Sequence, residues 1–221
     1  VGEILSEYDV LGAFWVTIQL SVLSAIGSLL IGTVMAVLRV SPVAVLRLIG
    51  TSYVNIVRNT PLTLLMAFSV LGLSFILGLQ LSDQATTNSY WWAVIMLSIY
   101  HGAFVCEALR SGVNTIPPGQ AEAARAMGLT FGQSLSQVLL PQAFRGAIAP
   151  LGSTLIALIK NTTVAAVILG TAEAAGQLAE ITENEGASLP TFFLFALGFV
   201  ILTLPLGILF TNLSQRLSVK R

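Results

Sequence analysis

The stretch Ser111–Pro141, SGVNTIPPGQAEAARAMGLTFGQSLSQVLLP, decides the fold. Pro117 and Pro118 stop any helix running in from before them, since proline lacks an N–H and restricts the residue ahead of it. The Ala-rich run Gly119–Met127 favours helix. Gly128 is placed to end that helix in the left-handed conformation that suits glycine. Thr130 starts a second helix, with Gln133 three positions on completing a capping-box pattern, and Pro141 is expected to end it. The prediction is a helix, a glycine elbow and a second short helix. Its tip, Met127 to Leu129, offers apolar side chains on a surface otherwise polar, the mark of a docking site.

This polar segment is set between apolar runs. Hydrophobic residues make up 55% of the 221-residue chain and charged residues only 9%, against roughly 25% charged in soluble domains; mean hydropathy is +0.88. A spanning helix needs about 20 mainly apolar residues, and five stretches qualify: Phe14–Leu38, Leu62–Leu81, Trp91–Leu109, Ile148–Leu169 and Thr191–Leu213. The runs are continuous and do not alternate with period two, so a barrel is excluded and the fold class is an all-α polytopic membrane protein. Residues 1–12 are expected outside, 13–213 form the five-helix domain with the loop 111–147, and 214–221 form a cytoplasmic tail. The leader VGEILSEYDV carries Glu3, Glu7 and Asp9 and no basic residue, unlike a signal peptide.

Ten basic residues balance ten acidic ones, which removes the basic footprint of a nucleic-acid binder. Cys106 is alone and reads as a small packing residue, and no Cys/His cluster suits a metal. The charges are nevertheless sorted. Arg39, Arg47 and Arg58 lie between the first and second spans, Arg110, Arg125 and Arg145 between the third and fourth, and Arg216, Lys220 and Arg221 in the tail. The remaining segments hold Glu3, Glu7, Asp9, Asp83, Glu173, Glu180, Glu183 and Glu185 and no Lys or Arg. The positive-inside rule then puts the N-terminus outside and the C-terminus in the cytoplasm, with Trp91 and Trp92 at the outer interface.

Glu122-Ala123-Ala124, then Gly128, Val138 and Leu140-Pro141 at their spacing, resemble the EAA motif of the membrane subunits of bacterial ATP-binding-cassette importers, with Val138 in place of Ile. Pro141-Gln142-Ala143 with Arg145, Arg58-Asn59-Thr60-Pro61-Leu62, Gly119-Gln120 and Lys160-Asn161-Thr162-Thr163 are similar to the polar amino-acid branch. Many members have Gly at the position of Asn59, Asp at that of Asn161 and Ser at that of Thr163; the Asn forms look most like actinobacterial glutamate-importer permeases. The resemblance implies a type I importer (MetI-like) permease fold in a bacterial plasma membrane, and a coupling helix that docks on a cytoplasmic ATPase. Glu122, Ala123, Ala124, Met127, Gly128 and Leu129 are then the coupling residues. It also implies a second permease chain (a heterodimer favoured by the glutamate likeness, a homodimer the alternative), two ATP-binding subunits that carry the ATP and magnesium, and an extracytoplasmic substrate-binding protein. No cofactor is expected on this chain.

Polar residues inside the spans mark the candidate pathway. A mid-span Lys costs about 2.5–3.5 kcal/mol on insertion scales, so Lys160 either faces the pathway and attracts a substrate carboxylate or bonds to neighbouring helices. Asn161 and Thr162 continue that polar turn, and His101 either joins them or makes an interhelical bond. Glu107 and Arg110 read as a local pair, Arg58 meets headgroups or the coupling loop, Pro61 suits a helix start, and Gly27 and Gly32 suggest close helix approach. No phosphate-binding GxxxxGK[ST] pattern is present and the only lysines are Lys160 and Lys220, so the ATPase must be another chain. An intramembrane hydrolase would need a base for its nucleophile, and His101 is the single histidine. A stand-alone secondary transporter would call for an inverted repeat. Glutamine, arginine and cystine are the alternative substrates within the same family.

Overall fold

The computed structural model describes residues 2–217; Val1 and residues 218–221, with Lys220 and Arg221 of the expected tail, lie outside the described residues. Every regular element described is a helix, as backbone groups in lipid demand. A short α1 (Gly2–Glu7) leads into α2 (Val10–Val40), which starts before the expected Phe14 because Asp9 caps it, accepting from the Gly12 N–H at 2.9 Å. α3 (Ala44–Arg58) turns by 99° into α4 (Leu62–Ala67), which continues as a π-helix over Phe68–Ile76. Pro61 sits just ahead of α4, and the second span stops at Ile76 rather than Leu81, because Gly78 takes a φ of +68°. α5 (Ala85–Val113) is the longest correction to a predicted span, beginning at Ala85 and not Trp91.

The polar loop follows as α6 (Pro118–Ala126) and α7 (Phe131–Gln133), then a π-turn (Ser134–Leu139) and α8 (Leu140–Gly146). The fourth span, Ile148–Ala172, is broken: α9 (Ile148–Asn161), a 3₁₀ turn (Thr162–Ala165), α10 (Ala166–Leu169) and a second 3₁₀ turn (Gly170–Ala172). α11 (Ala174–Glu185) and α12 (Leu189–Leu217) complete the chain. Among the described residues four helical stretches, Ile148–Ala172 taken as one, are long and apolar enough to cross a membrane, and the bent pair Ala44–Arg58 and Leu62–Ile76 makes a fifth if counted as one span.

α5 is the central helix. Its junction with α2 is built from glycines: a Cβ on Gly27 would lie 2.3 Å from the Ser98 Oγ, and one on Gly32 would lie 2.5 Å from Val105 and 2.8 Å from the Gly102 carbonyl oxygen. Backbones that close are how spans associate where water supplies no hydrophobic drive. Tyr53 of α3 donates from its hydroxyl to the Ile99 carbonyl at 2.6 Å, adding a third helix to the seam. Around it sit Val54, Val57, Val105, Leu109 and Leu151 at one end, and Leu20, Met66, Leu97 and Ala165 toward the other. Trp92 belongs to this second cluster and is buried, while Trp91 stays partly exposed. The two tryptophans therefore do not form the paired interfacial anchor the sequence suggests; helix rotation sends one of them inward.

These contacts set an expected outcome. Gly32→Val forces a side chain into Val105 and the Gly102 carbonyl, and overpacking costs about 1–3 kcal/mol; thermal melting of the purified protein in detergent reads it as a lowered midpoint. Gly119→Ala, where a Cβ meets nothing within 4 Å, raises the midpoint slightly, since Ala outranks Gly in a helix by up to about 1 kcal/mol.

Candidate functional site

The elbow is built from local signals. Gly128 has a φ of +81°, its N–H donates to the Arg125 carbonyl at 2.9 Å, and the Leu129 N–H reaches back to the Ala124 carbonyl at 3.1 Å. The capping box is complete: the Gln133 N–H donates to the Thr130 Oγ1 at 3.3 Å and the Thr130 N–H to the Gln133 Oε1 at 2.9 Å. Ala124 is buried, whereas Glu122, Ala123 and Gly128 are exposed and Leu129 is half-buried. Met127 is 72% exposed, an apolar side chain held out at the tip. Pro141 does not end the second helix, which runs on to Gly146. The π-turn before it resets the bonding, with the Leu140 N–H going to the Leu135 carbonyl, and Pro141 then stands in the first turn of α8, where its missing N–H is tolerated.

The polar turn on the fourth span is divided by the helix. The Asn161 amide nitrogen lies 3.2 Å from the His101 Nε2, which joins α9 to the middle of α5. If that amide donates to Nε2, the imidazole proton sits on Nδ1, and Nδ1 is buried with no hydrogen-bond partner among the described residues. Thr162 faces the chain's interior, fully buried, with its hydroxyl on the Ile159 carbonyl at 2.8 Å. Lys160 is exposed and makes no ion pair among the described residues. His101 and Asn161 line a cavity of about 250 Å³ with Tyr100, Phe104, Ser153 and Ala157. That is below the roughly 300–1,000 Å³ of drug-sized sites and is the scale of a small metabolite. Ser153, Ala157 and Lys160 are spaced i, i+4, i+7 on α9 and all exposed, so the cavity wall and the lysine share one open stripe.

At the end of α5, Glu107 is more than the partner of Arg110. Arg110 donates to its Oε2 from Nε and Nη2, at 3.0 and 2.9 Å. Arg39 of α2 donates to its Oε1, and the Arg58 Nη1 lies 3.8 Å from the same oxygen. One carboxylate thus serves three helices and three arginines. Arg58 also stands 5.3 Å from the centroid of the Phe104 ring, which walls the cavity. Sequence spacing revealed only Arg110, because the other two contacts are long-range.

Glu173 lies between the fourth and fifth spans, as the sequence reading has it, but its surroundings were not legible there. Counted there with the acids of an outer loop, it is fully buried. Thr17 of α2 donates to its Oε1 at 3.0 Å and the Ala175 N–H to its Oε2 at 2.8 Å. It caps α11, and burial pushes its carboxyl up despite those donors. α11 is held tightly there: a Cβ on Gly176 would lie 1.8 Å from the Gly170 carbonyl oxygen.

This architecture matches known proteins. Residues 28–219 fit the model of the binding-protein-dependent transport system inner membrane component family, and the chain belongs to that family. It is 49% identical to the glutamate transport system permease protein GluC of Corynebacterium glutamicum, over 96% of both chains. It is 34% identical to a probable glutamine ABC transporter permease protein of Bacillus subtilis, over 92% of this chain and 91% of the relative. Among solved structures, an amino acid ABC transporter crystallised with histidines superposes with a TM-score of 0.79 at 26% identity, covering 94% of this chain and 93% of the other. An inward-facing MetNI methionine ABC transporter superposes at 0.75 over 94% and 95%, with 22% identity, a likeness of fold alone. The protein is therefore a multi-pass membrane permease subunit of an ATP-binding-cassette amino-acid importer, working with ATPase and substrate-binding partners. It is not itself the enzyme: ATP hydrolysis belongs to separate subunits.

Glu107→Gln leaves three arginines facing one another. Breaking a buried pair costs 3–5 kcal/mol; the Arg39 and Glu107 side chains are 14% and 21% exposed, so a loss of about 2–3 kcal/mol is expected in denaturant titration of the micellar protein. Arg110→Gln, which removes the more exposed partner, costs under about 1 kcal/mol.

Proposed function

We propose that this chain carries glutamate across a bacterial plasma membrane into the cytoplasm, and that the open stripe of α9 lines its pathway. The observation that carries the reading is Lys160: a cation on a spanning helix, exposed, in no ion pair among the described residues, and on the same stripe as Ser153 and Ala157 of the His101–Asn161 cavity. A charge within a span needs a partner or water, and a dicarboxylic amino acid brings the carboxylate. His101 supplies a buried, unused ring nitrogen and Asn161 orients it. Thr162, turned inward, supports the turn rather than touching substrate. The identity to glutamate permeases over nearly the whole chain supports the choice of substrate; glutamine is the alternative that the more distant relative suggests.

The elbow of Glu122, Ala123, Ala124, Met127, Gly128 and Leu129 is the coupling element, its exposed Met127 seated in an apolar cleft of the ATPase. The assembly comprises this chain, a second and related permease, two ATP-binding subunits holding the ATP and magnesium, and an extracytoplasmic binding protein. This chain holds no cofactor. Residues 1–12 lie outside, 13–213 form the permease domain with the loop 111–147 in the cytoplasm, and the tail 214–221 is cytoplasmic.

Lys160→Met is expected to lower ATP-driven glutamate uptake about tenfold, the worth of roughly 1.4 kcal/mol, at an unchanged melting temperature. A lowered melting temperature with unchanged uptake per folded transporter assigns Lys160 to helix packing instead. Gly128→Val puts a β-branched residue at positive φ; it is expected to abolish uptake and substrate-stimulated ATP hydrolysis while the permease still folds. Normal values for both refute the coupling role.

A further inference from the structure

A second polar site lies at the far end of the bundle from α11. Where α5 and α12 reach their ends, a groove of about 550 Å³ opens between the turn after α5, α8 and the last turns of α12. Its cation is Arg145 on α8. Every ion pair among the described residues is made to Glu107, and Arg145 takes part in none. None of the described residues lining the groove is acidic. Two neutral lining groups are occupied internally, the Gln142 amide on the Val138 carbonyl and the Thr115 hydroxyl on the Gly112 carbonyl. Arg145, the Asn114 amide and the Ser214 hydroxyl, by contrast, have no partner for their side chains among the described residues, so three donor groups of one groove are unspent. Ile116, Pro117 and Leu217 complete the lining with apolar surface.

We propose that this groove binds the phosphate of an anionic phospholipid headgroup. A planar guanidinium flanked by an amide and a hydroxyl matches a phosphodiester, which accepts several hydrogen bonds at one charge. The apolar half of the lining matches the glycerol and first methylenes beyond it, and the site stands at the ends of α5 and α12, where spans leave the bilayer for the cytoplasmic loop. Basic residues at that level draw anionic lipid. The consequence is mechanical: α8 is the continuation of the elbow's second helix, running unbroken from Phe131 to Gly146. A lipid clamped on Arg145 holds the base of the coupling element. The inference is independent of which amino acid is carried.

The test uses the complete transporter with its ATPase and binding protein, in nanodiscs of phosphatidylcholine alone or mixed with phosphatidylglycerol. Substrate-stimulated ATP hydrolysis of the wild type is expected to rise roughly fivefold with phosphatidylglycerol. Arg145→Gln is expected to be flat across the two compositions and to match the wild type in phosphatidylcholine alone, and Arg145→Lys to keep part of the rise. Native mass spectrometry is expected to find phosphatidylglycerol retained by the wild type and lost from Arg145→Gln. An equal rise in Arg145→Gln overturns the proposal. So does an identical rise when inorganic phosphate is added to phosphatidylcholine discs, which assigns the groove to a soluble anion. Loss of the ATPase subunit from Arg145→Gln and Arg145→Lys in either lipid also overturns it, by making Arg145 a protein contact.

Discussion

The close approach of α2 and α5 is the constraint on which the rest depends. At Gly27 and Gly32 no Cβ fits, so the two helices meet at backbone distance; α3, α4 and α9 pack on what α5 has left to offer, and α12 packs in turn on α9. Dispersion and short hydrogen bonds must hold such a seam, because lipid is as apolar as the side chains it surrounds. The seam does this with Ser24 donating to the Val94 carbonyl at 3.4 Å and Tyr53 to the Ile99 carbonyl at 2.6 Å. Glu107 closes its end by gathering Arg39, Arg58 and Arg110. At its other end the Thr17–Glu173 bond fixes α11 across α2.

The same helix links the elbow to the cavity. α8 packs on the last turn of α5 so closely that a Cβ on Gly112 would lie 2.1 Å from the Ala143 carbonyl oxygen. α8 passes into α9 at Ala147, itself buried in the α5 cluster with Leu151. α9 then carries Ser153, Ala157 and Asn161 to face His101 and Phe104 of α5. From Phe131 to the cavity the chain is therefore helical but for the turn at Ala147, and its α8–α9 part is packed on α5, which leaves little slack to absorb a displaced elbow.

What was legible in the sequence was local. The proline pair, the positive-φ glycine at 128 and the Thr130–Gln133 box all act within a few residues and are found where they were expected, and the five apolar runs return as spans with shifted ends, the second only as part of a bent pair. The failures come from long range or from backbone irregularity. Pro141 reads as a stop, yet the π-turn at Ser134–Leu139 shifts the hydrogen-bond register and the helix goes on. The burial of Glu173 goes unread because nothing near it in sequence hints at Thr17. Trp92 reads as an interfacial ring until the rotation of α5 turns it into the core. For the candidate site, Lys160, Asn161 and His101 stood out as polar residues in apolar spans. That Thr162 turns the other way follows only from the 3₁₀ break that begins with it.

The central claim is that this chain is the membrane path of an ATP-driven glutamate importer. Its most direct test is uptake of labelled glutamate into proteoliposomes that contain the assembled complex, with the binding protein outside and ATP enclosed. The account predicts accumulation that requires both ATP and the binding protein. Accumulation driven by a proton or sodium gradient without ATP would contradict it.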